Sequence, residues 1–339
     1  MPTAAIFDCE GPRLSAEEKA FFKDADPWGF ILFARHCEDA DAIRAHCDEL
    51  RDCVGRDDAP ILIDQEGGRV ARMKPPVFPA HPAPAVFGEL WKLDPEKANE
   101  AAKLNGYLLG RLVSDSGVTV NCVPMLDVPQ KDADAQVIGD RAYAKWPDVI
   151  AALGEATMDG LMEGGALPVI KHLPGHGRSL CDSHHELPRV CNSQRDLNSV
   201  DFQPFKSLRH ARMGMTAHIV YETYDAERPA TLSPVIVNDV IRGEIGFDGL
   251  LFTDDLKMKA LGGALSDRIT GAYDAGCDIA LNCNFSMDEK KQSAAALRPL
   301  EGKSAKRAAA ALGQMRTVDR GDTREAYERL NALIKPALV

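Results

Sequence analysis

The chain has no stretch approaching the roughly 20 apolar residues of a membrane helix. It also has no CxxC pair, no HExxH and no glycine-rich phosphate turn. A membrane-spanning protein is therefore not expected. Its nine cysteines (Cys9, Cys37, Cys47, Cys53, Cys122, Cys181, Cys191, Cys277 and Cys283) form an odd, scattered set. That is neither a disulfide framework nor a zinc ribbon. Cys122, Cys277 and Cys283 sit in apolar runs, where a free thiol behaves as a small hydrophobe. Such usage suits a reducing compartment. The opening MPTAAIFDCEGPRL lacks a basic n-region and a long apolar core. A secretory signal is not expected, and the cytoplasm is the expected location. An excess of positive charge is missing too: 40 Lys+Arg against 51 Asp+Glu give a net charge of −11. This speaks against nucleic acid as a partner and against an anionic membrane surface.

With 45% hydrophobic and 27% charged residues, the 339-residue composition is that of a globular protein with ample material for a core. Short apolar runs recur, and each ends in polar residues. Trp28–Phe33 leads to Ala34-Arg35-His36, and Pro60–Ile63 to Asp64-Gln65-Glu66-Gly67-Gly68-Arg69. Val118–Pro124 leads to Met125-Leu126-Asp127, and Leu167–Ile170 to Lys171-His172. Met213–Ala217 leads to His218, Gly249–Thr253 to Asp254-Asp255, and Cys277–Leu281 to Asn282-Cys283-Asn284. Helix-patterned segments lie between them: Glu38–Val54, Pro95–Ser116, Trp146–Gly164 and Asp267–Gly276.

Alternating strands and helices mean βα units and a parallel sheet. Seven units are visible, and Ala4–Asp8 supplies an eighth strand. The expected fold is α/β: a single (β/α)8 TIM-type barrel with its active site at the C-terminal ends of the strands. A doubly wound open sheet is the rival, but Gly67-Gly68 is too short for its phosphate fingerprint. The tail reads as helices, Ser304–Met315 and Thr323–Ile334, packed outside the barrel. With no repeat and no Ser/Gly linker, residues 1–339 are expected to form one domain. A monomer without a cofactor is expected.

The densest chemistry is Lys171–Pro188, KHLPGHGRSLCDSHHELP, with four of the nine histidines. Asp182 beside His184 fixes the tautomer of the ring and raises its proton affinity. A histidine so tuned can trade protons near neutrality. A solvated polar loop is the plainer reading. A metal-dependent barrel hydrolase using His172, His176 and His184, with Asp182, Cys181 and His185 at hand, is the competing enzyme. Pro174 and Gly175 keep His172 and His176 off a common helical face. Asp254 and Asp255 at a strand end suit a nucleophile, base or ligand, although Asp255 also suits a helix N-cap before Leu256. Asp64, the Gly67-Gly68 turn, Arg69 and Arg72 would let backbone approach a ligand. Arg141 either pairs internally with Asp140 or Asp127 or binds a substrate group.

These motifs occur in a fixed order: GFILFAR from Gly29, IDQEGGRV from Ile63, NCVPMLD from Asn121 and GDRAY from Gly139. KHLPGHG from Lys171, DSH from Asp182, TAH from Thr216, ATLSP from Ala230 and FTDDL from Phe252 complete the set. The set resembles the bacterial β-N-acetylhexosaminidases of glycoside hydrolase family 3, the NagZ type. The resemblance implies a retaining exo-β-N-acetylglucosaminidase working through a covalent glycosyl-enzyme. Its nucleophile would be Asp254, its acid/base His184, and Asp182 would orient that histidine. Asp64, Arg72, Arg141, Lys171 and His172 would hold the sugar. The partner implied is a small carbohydrate, an N-acetylglucosaminyl-anhydromuramyl fragment from peptidoglycan recycling. Leu173 replaces the family's usual Phe and Thr253 its usual Ser. Arg178 stands at a variable position, where it is expected to touch an acidic part of the leaving group. A sugar-binding protein that has lost catalysis is a third reading, opposed by the presence of both Asp254 and His184.

Overall fold

Every apolar run read from the sequence becomes a strand of a parallel sheet. The computed structural model describes residues 1–130, 137–179, 186–318 and 320–338. The strands are β1 (Thr3–Phe7), β2 (Pro27–Leu32), β3 (Ile61–Ile63), β4 (Val120–Asn121), β5 (Leu167–Pro168) and β6 (Ile170–Leu173). They continue with β7 (Arg189–Val190), β8 (Met213–Thr216), β9 (Val220–Tyr221), β10 (Leu250–Phe252) and β11 (Ala280–Asn282). One parallel sheet has the order β11-β1-β2-β3-β4-β5, and a second has the order β10-β8-β6. The first and last strands meet through Ala5↔Ala280 and Phe7↔Asn282. Single parallel bridges join the two sheets at Met125↔Lys171 and at Phe252↔Ile279. β7 and β9 form a separate parallel pair.

The strands are buried almost throughout, as Pro27–Leu32 shows. Parallel sheets carry helices on their faces, so their strands read as continuous apolar runs rather than alternating ones. The helices expected from periodicity are found at Ala40–Val54, Pro95–Asp115, Pro147–Glu163 and Leu265–Ala275. Asp39 caps the first through Ala42 N–H, and Gly55 closes it at φ 62°. Helices 95–115 and 147–163 pack backbone to backbone: a Cβ on Gly160 would lie 1.9 Å from the Lys103 carbonyl oxygen. Helices at Ala16–Ala25 and Pro84–Leu93 were not read from the pattern. The first starts at a Ser15/Glu18 capping box that the sequence does display.

The tail forms helices Gly302–Leu312 and Arg324–Ile334 on the outside of the sheets. Arg307 of the first reaches Asp278 (3.1 Å). In the second, Tyr327 reaches His81 (3.2 Å) and Arg329 pairs with Glu100 (2.8 Å).

Candidate active site

The polar residues that end the strands converge on one cavity of about 310 Å³. Asp64, just beyond β3, accepts from Lys171 Nζ at 2.9 Å and from Arg72 Nη2 at 3.0 Å. Glu66 takes the Arg141 guanidinium bidentately, at 2.8 and 2.9 Å, and lies 2.7 Å from Lys171 Nζ. Lys171, at 2% exposure, is thus shared by two carboxylates. The chain leaves Asp64 through Gly67 and Gly68, both at positive φ. A Cβ on Gly67 would lie 2.3 Å from the Pro82 carbonyl oxygen, so the turn requires glycine. It returns at Arg72, whose guanidinium stacks 5.3 Å from the Phe33 ring centroid.

Burial alone would raise the pKa of both carboxyls. Lys171 and Arg72 outweigh it at Asp64, and Arg141 and Lys171 at Glu66, so both stay well below the usual range. Burial would likewise lower Lys171, but Asp64 and Glu66 hold it above its ordinary value. On this side of the cavity Arg72, Lys171 and Arg141 face two carboxylates, Asp64 and Glu66, while Asp254 also lines the cavity. Such a wall can donate hydrogen bonds to hydroxyl and carbonyl oxygens of a polar ligand, while Asp64 accepts from its hydroxyls.

His172 follows Lys171 in β6. Its Nδ1 lies 2.7 Å from Asp127 Oδ2, and the other Asp127 oxygen accepts the backbone N–H of His172 (3.3 Å) and of His176 (2.5 Å). Asp127 is fully buried. Burial pushes its pKa up, but the imidazole of His172 beside it and the backbone donors bring it below the ordinary value. Nδ1–H is therefore spent on Asp127, which sets the plane of the His172 ring at the cavity wall. His176 also lines the cavity, 5.6 Å from His172 centre to centre. Burial, only partly opposed by Asp127, lowers its pKa to about 4.

Asp254, directly after β10 and Thr253, reaches the same cavity. Its Oδ1 accepts the N–H of Asp255 at 2.8 Å. Thr253 uses its hydroxyl to accept the Leu281 N–H at 2.9 Å, tying β10 to β11. Asp255 begins no helix, so its helix N-cap alternative does not hold: residues 256–261 are turns and bends. Its carboxylate accepts from Lys257 N–H (2.9 Å) and Cys283 N–H (3.2 Å). Burial lifts its pKa to about 7, with the charge of Asp254 adding to the rise and those N–H bonds opposing it.

Six sequence-predicted residues, Asp64, Arg72, Arg141, Lys171, His172 and Asp254, therefore line one cavity. The predicted Asp182 and His184 lie outside the described residues, as do Cys181 and His185. Arg141 pairs with neither Asp140 nor Asp127, because Glu66 takes it and Arg69 takes Asp140 at 2.9 Å. Arg178 has its Nε held by Asp201 at 2.7 Å. Among the described residues no group of three or more His, Cys, Asp or Glu side chains is disposed to hold a metal ion. Sequence reasoning missed Glu66 and gave Asp127 only a passing role. The available signal was placement, since Glu66 stands two residues past Asp64 and Asp127 ends the β4 run.

Residues 4–311 match the model of the glycosyl hydrolase family 3 N-terminal domain. The β-hexosaminidase of Alkalilimnicola ehrlichii is 37% identical over 279 residues, covering 81% of this chain and 79% of that one. The β-hexosaminidase of Methylococcus capsulatus is 34% identical over 337 residues, 97% of each chain. The crystal structure of NagZ from Neisseria gonorrhoeae in complex with N-trifluoroacetyl-D-glucosamine superposes with a TM-score of 0.88 at 28% identity, covering 100% of this chain and 98% of that one. Parallel strands delivering acids and cations to one pocket, with relatives of this kind, define a glycoside hydrolase. The chain belongs to glycosyl hydrolase family 3.

Proposed function

We propose that the chain is a retaining exo-β-N-acetylglucosaminidase, with Asp254 as nucleophile, His184 as acid/base and Asp182 orienting His184. The observation that carries this is the convergence of Asp254 with Asp64, Arg72, Arg141, Lys171 and His172 on one cavity. The cationic wall holds the ring hydroxyls and acetamido group of a terminal N-acetylglucosamine. In the first step an Asp254 oxygen bonds to the anomeric carbon as the glycosidic bond breaks, and His184 gives its proton to the departing oxygen. In the second, water attacks the same carbon, its proton passes to His184, and the Asp254 ester bond breaks. Double displacement retains the β configuration.

The aglycone in this reading is 1,6-anhydro-N-acetylmuramic acid, bare or carrying peptide, and the role is peptidoglycan recycling. The two sheets are read as one (β/α)8 barrel whose closure runs through the bridges at Met125↔Lys171 and Phe252↔Ile279. Residues 1–339 form one catalytic domain, acting as a monomer in the cytoplasm. Support for a reducing location comes from the eight described cysteines, all free thiols. Among the described residues no helix is long and apolar enough to cross a membrane.

The test is mass spectrometry after reaction with 5-fluoro-N-acetylglucosaminyl fluoride. A sugar adduct on the peptide containing Asp254 is expected. Rapid turnover of a chromogenic N-acetyl-β-glucosaminide with no adduct at Asp254 refutes the mechanism.

A further inference from the structure

His218 follows β8 and is fully buried. Its Nε2 lies 2.9 Å from the carbonyl oxygen of Asp255, the residue after the nucleophile. A carbonyl only accepts, so Nε2 carries the proton and Nδ1 is the acceptor. The Thr231 hydroxyl lies 2.7 Å from Nδ1 and 3.1 Å from the Ala217 carbonyl, and its one hydrogen goes to the nearer acceptor, Nδ1. With that hydrogen so placed, Thr231 accepts from the Thr216 hydroxyl at 2.8 Å. Thr216 and Thr231 are also fully buried. Burial keeps the ring below its ordinary pKa, against the pull of Asp254, which preserves this neutral tautomer.

Residue 255 is consequently fixed at each of its polar groups. Its N–H is held by Asp254 Oδ1 and its carboxylate by the N–H groups of Lys257 and Cys283. Its carbonyl accepts from His218 at 2.9 Å and, within its own turn, from the Met258 N–H at 3.1 Å, so His218 supplies the one donor that comes from another strand end. β8 pairs with β10 on one side, and β11 adjoins it on the other through Phe252↔Ile279. Each neighbouring strand end thus sends one donor to the residue that holds the Asp254 carboxylate. We infer that His218 is a positioning residue for the reaction: its Nε2–H clamps the Asp255 carbonyl, and through that residue it sets the aim of the Asp254 carboxylate at the anomeric carbon. The inference rests on Asp254 being the nucleophile.

The expected size follows from the sensitivity of an attacking group to placement, where a displacement of 1 Å costs on the order of 100-fold. His218→Leu removes the donor. His218→Gln returns an amide N–H near the place of Nε2. Both are compared with wild type on chromogenic N-acetyl-β-glucosaminides with good and poor leaving groups. The inhibition constant of N-acetylglucosamine, the rate of adduct formation at Asp254 and thermal unfolding are read alongside.

The Leu variant should lose about 10- to 100-fold in kcat/KM. The loss should be the same for good and poor leaving groups, because the attack and not the proton transfer is displaced. Adduct formation should slow by the same factor, while N-acetylglucosamine binding stays within about twofold. The Gln variant should recover most of the loss. Thr231→Val, which frees the far side of the ring, should show the same pattern at smaller size and serves if the Leu variant does not fold. A folded Leu variant with the wild-type rate of adduct formation overturns the inference and leaves the nucleophile standing. A Gln variant no better than Leu also overturns it, since the loss is then one of packing. Failure of wild type to form any adduct at Asp254 overturns both.

Discussion

Replacing Glu66 by glutamine keeps its shape and removes one of the two carboxylates that hold three cations. Glu66 is buried at 3% exposure and binds Arg141 at two points and Lys171 at a third. Without its charge, Arg141 loses its carboxylate partner. Lys171 and Arg72 are left sharing Asp64 alone. Removing one partner of a buried ion pair costs about 3–5 kcal/mol, chiefly because the other charge stays desolvated. At roughly 2 °C per kcal/mol for a chain of this size, the melting temperature should fall by about 6–10 °C. Arg141 and Lys171 would also be displaced at the cavity wall, so kcat/KM should drop on the order of 100-fold. Thermal unfolding and chromogenic kinetics read both. The pH dependence gives a further check. The folded pKa of Glu66 is depressed to about 2 from 4.5, so its contribution is present above about pH 4.5 and is lost as pH falls toward 2. The glutamine variant should lack this part of the acid destabilisation seen in wild type. A variant melting within about 1 °C of wild type, with kcat/KM within about twofold, would refute the ion-pair reasoning.

Asp254→Ala should remove turnover by orders of magnitude while the fold is kept; activity within about tenfold of wild type on the chromogenic substrate would contradict the nucleophile. His184→Ala should hurt substrates with poor leaving groups far more than activated ones, and equal losses would speak against an acid/base role. Asp127→Asn should release the His172 ring and raise KM more than it lowers kcat, a split visible in initial rates; a pure kcat effect would place His172 in the chemistry rather than in binding. Dialysis against EDTA should leave activity unchanged, whereas loss on chelation with recovery on zinc would favour the metal-dependent hydrolase.

The strands were legible because buried parallel strands are continuous apolar runs, and Trp28–Phe33 or Gly249–Thr253 admit few other readings. Long helices such as 95–115 were legible from their helical patterning. The helix at 84–93 was not, since its N-cap Ala83 makes no side-chain bond. The acids and bases of the site were legible as types at strand ends. Their pairing was not. Arg141 had Asp140 beside it in sequence, yet it binds Glu66, 75 residues away, and Asp140 goes to Arg69. Arg178 likewise finds Asp201, 23 residues away, with no local signal for the pair.

Sequence alone determined the parallel α/β pattern, the ordered motifs that place the chain in its family, and which residues carry ionisable groups at strand ends. Those are properties of local composition and spacing, and burial preference reports them directly. Tertiary structure decided how charge is shared: Lys171 between Asp64 and Glu66, His172 on Asp127, and the Asp255 carbonyl on His218. Each links residues 37 to 107 positions apart. Their partners are selected by desolvation and by the geometry of adjacent strand ends, neither of which has a local trace in the chain.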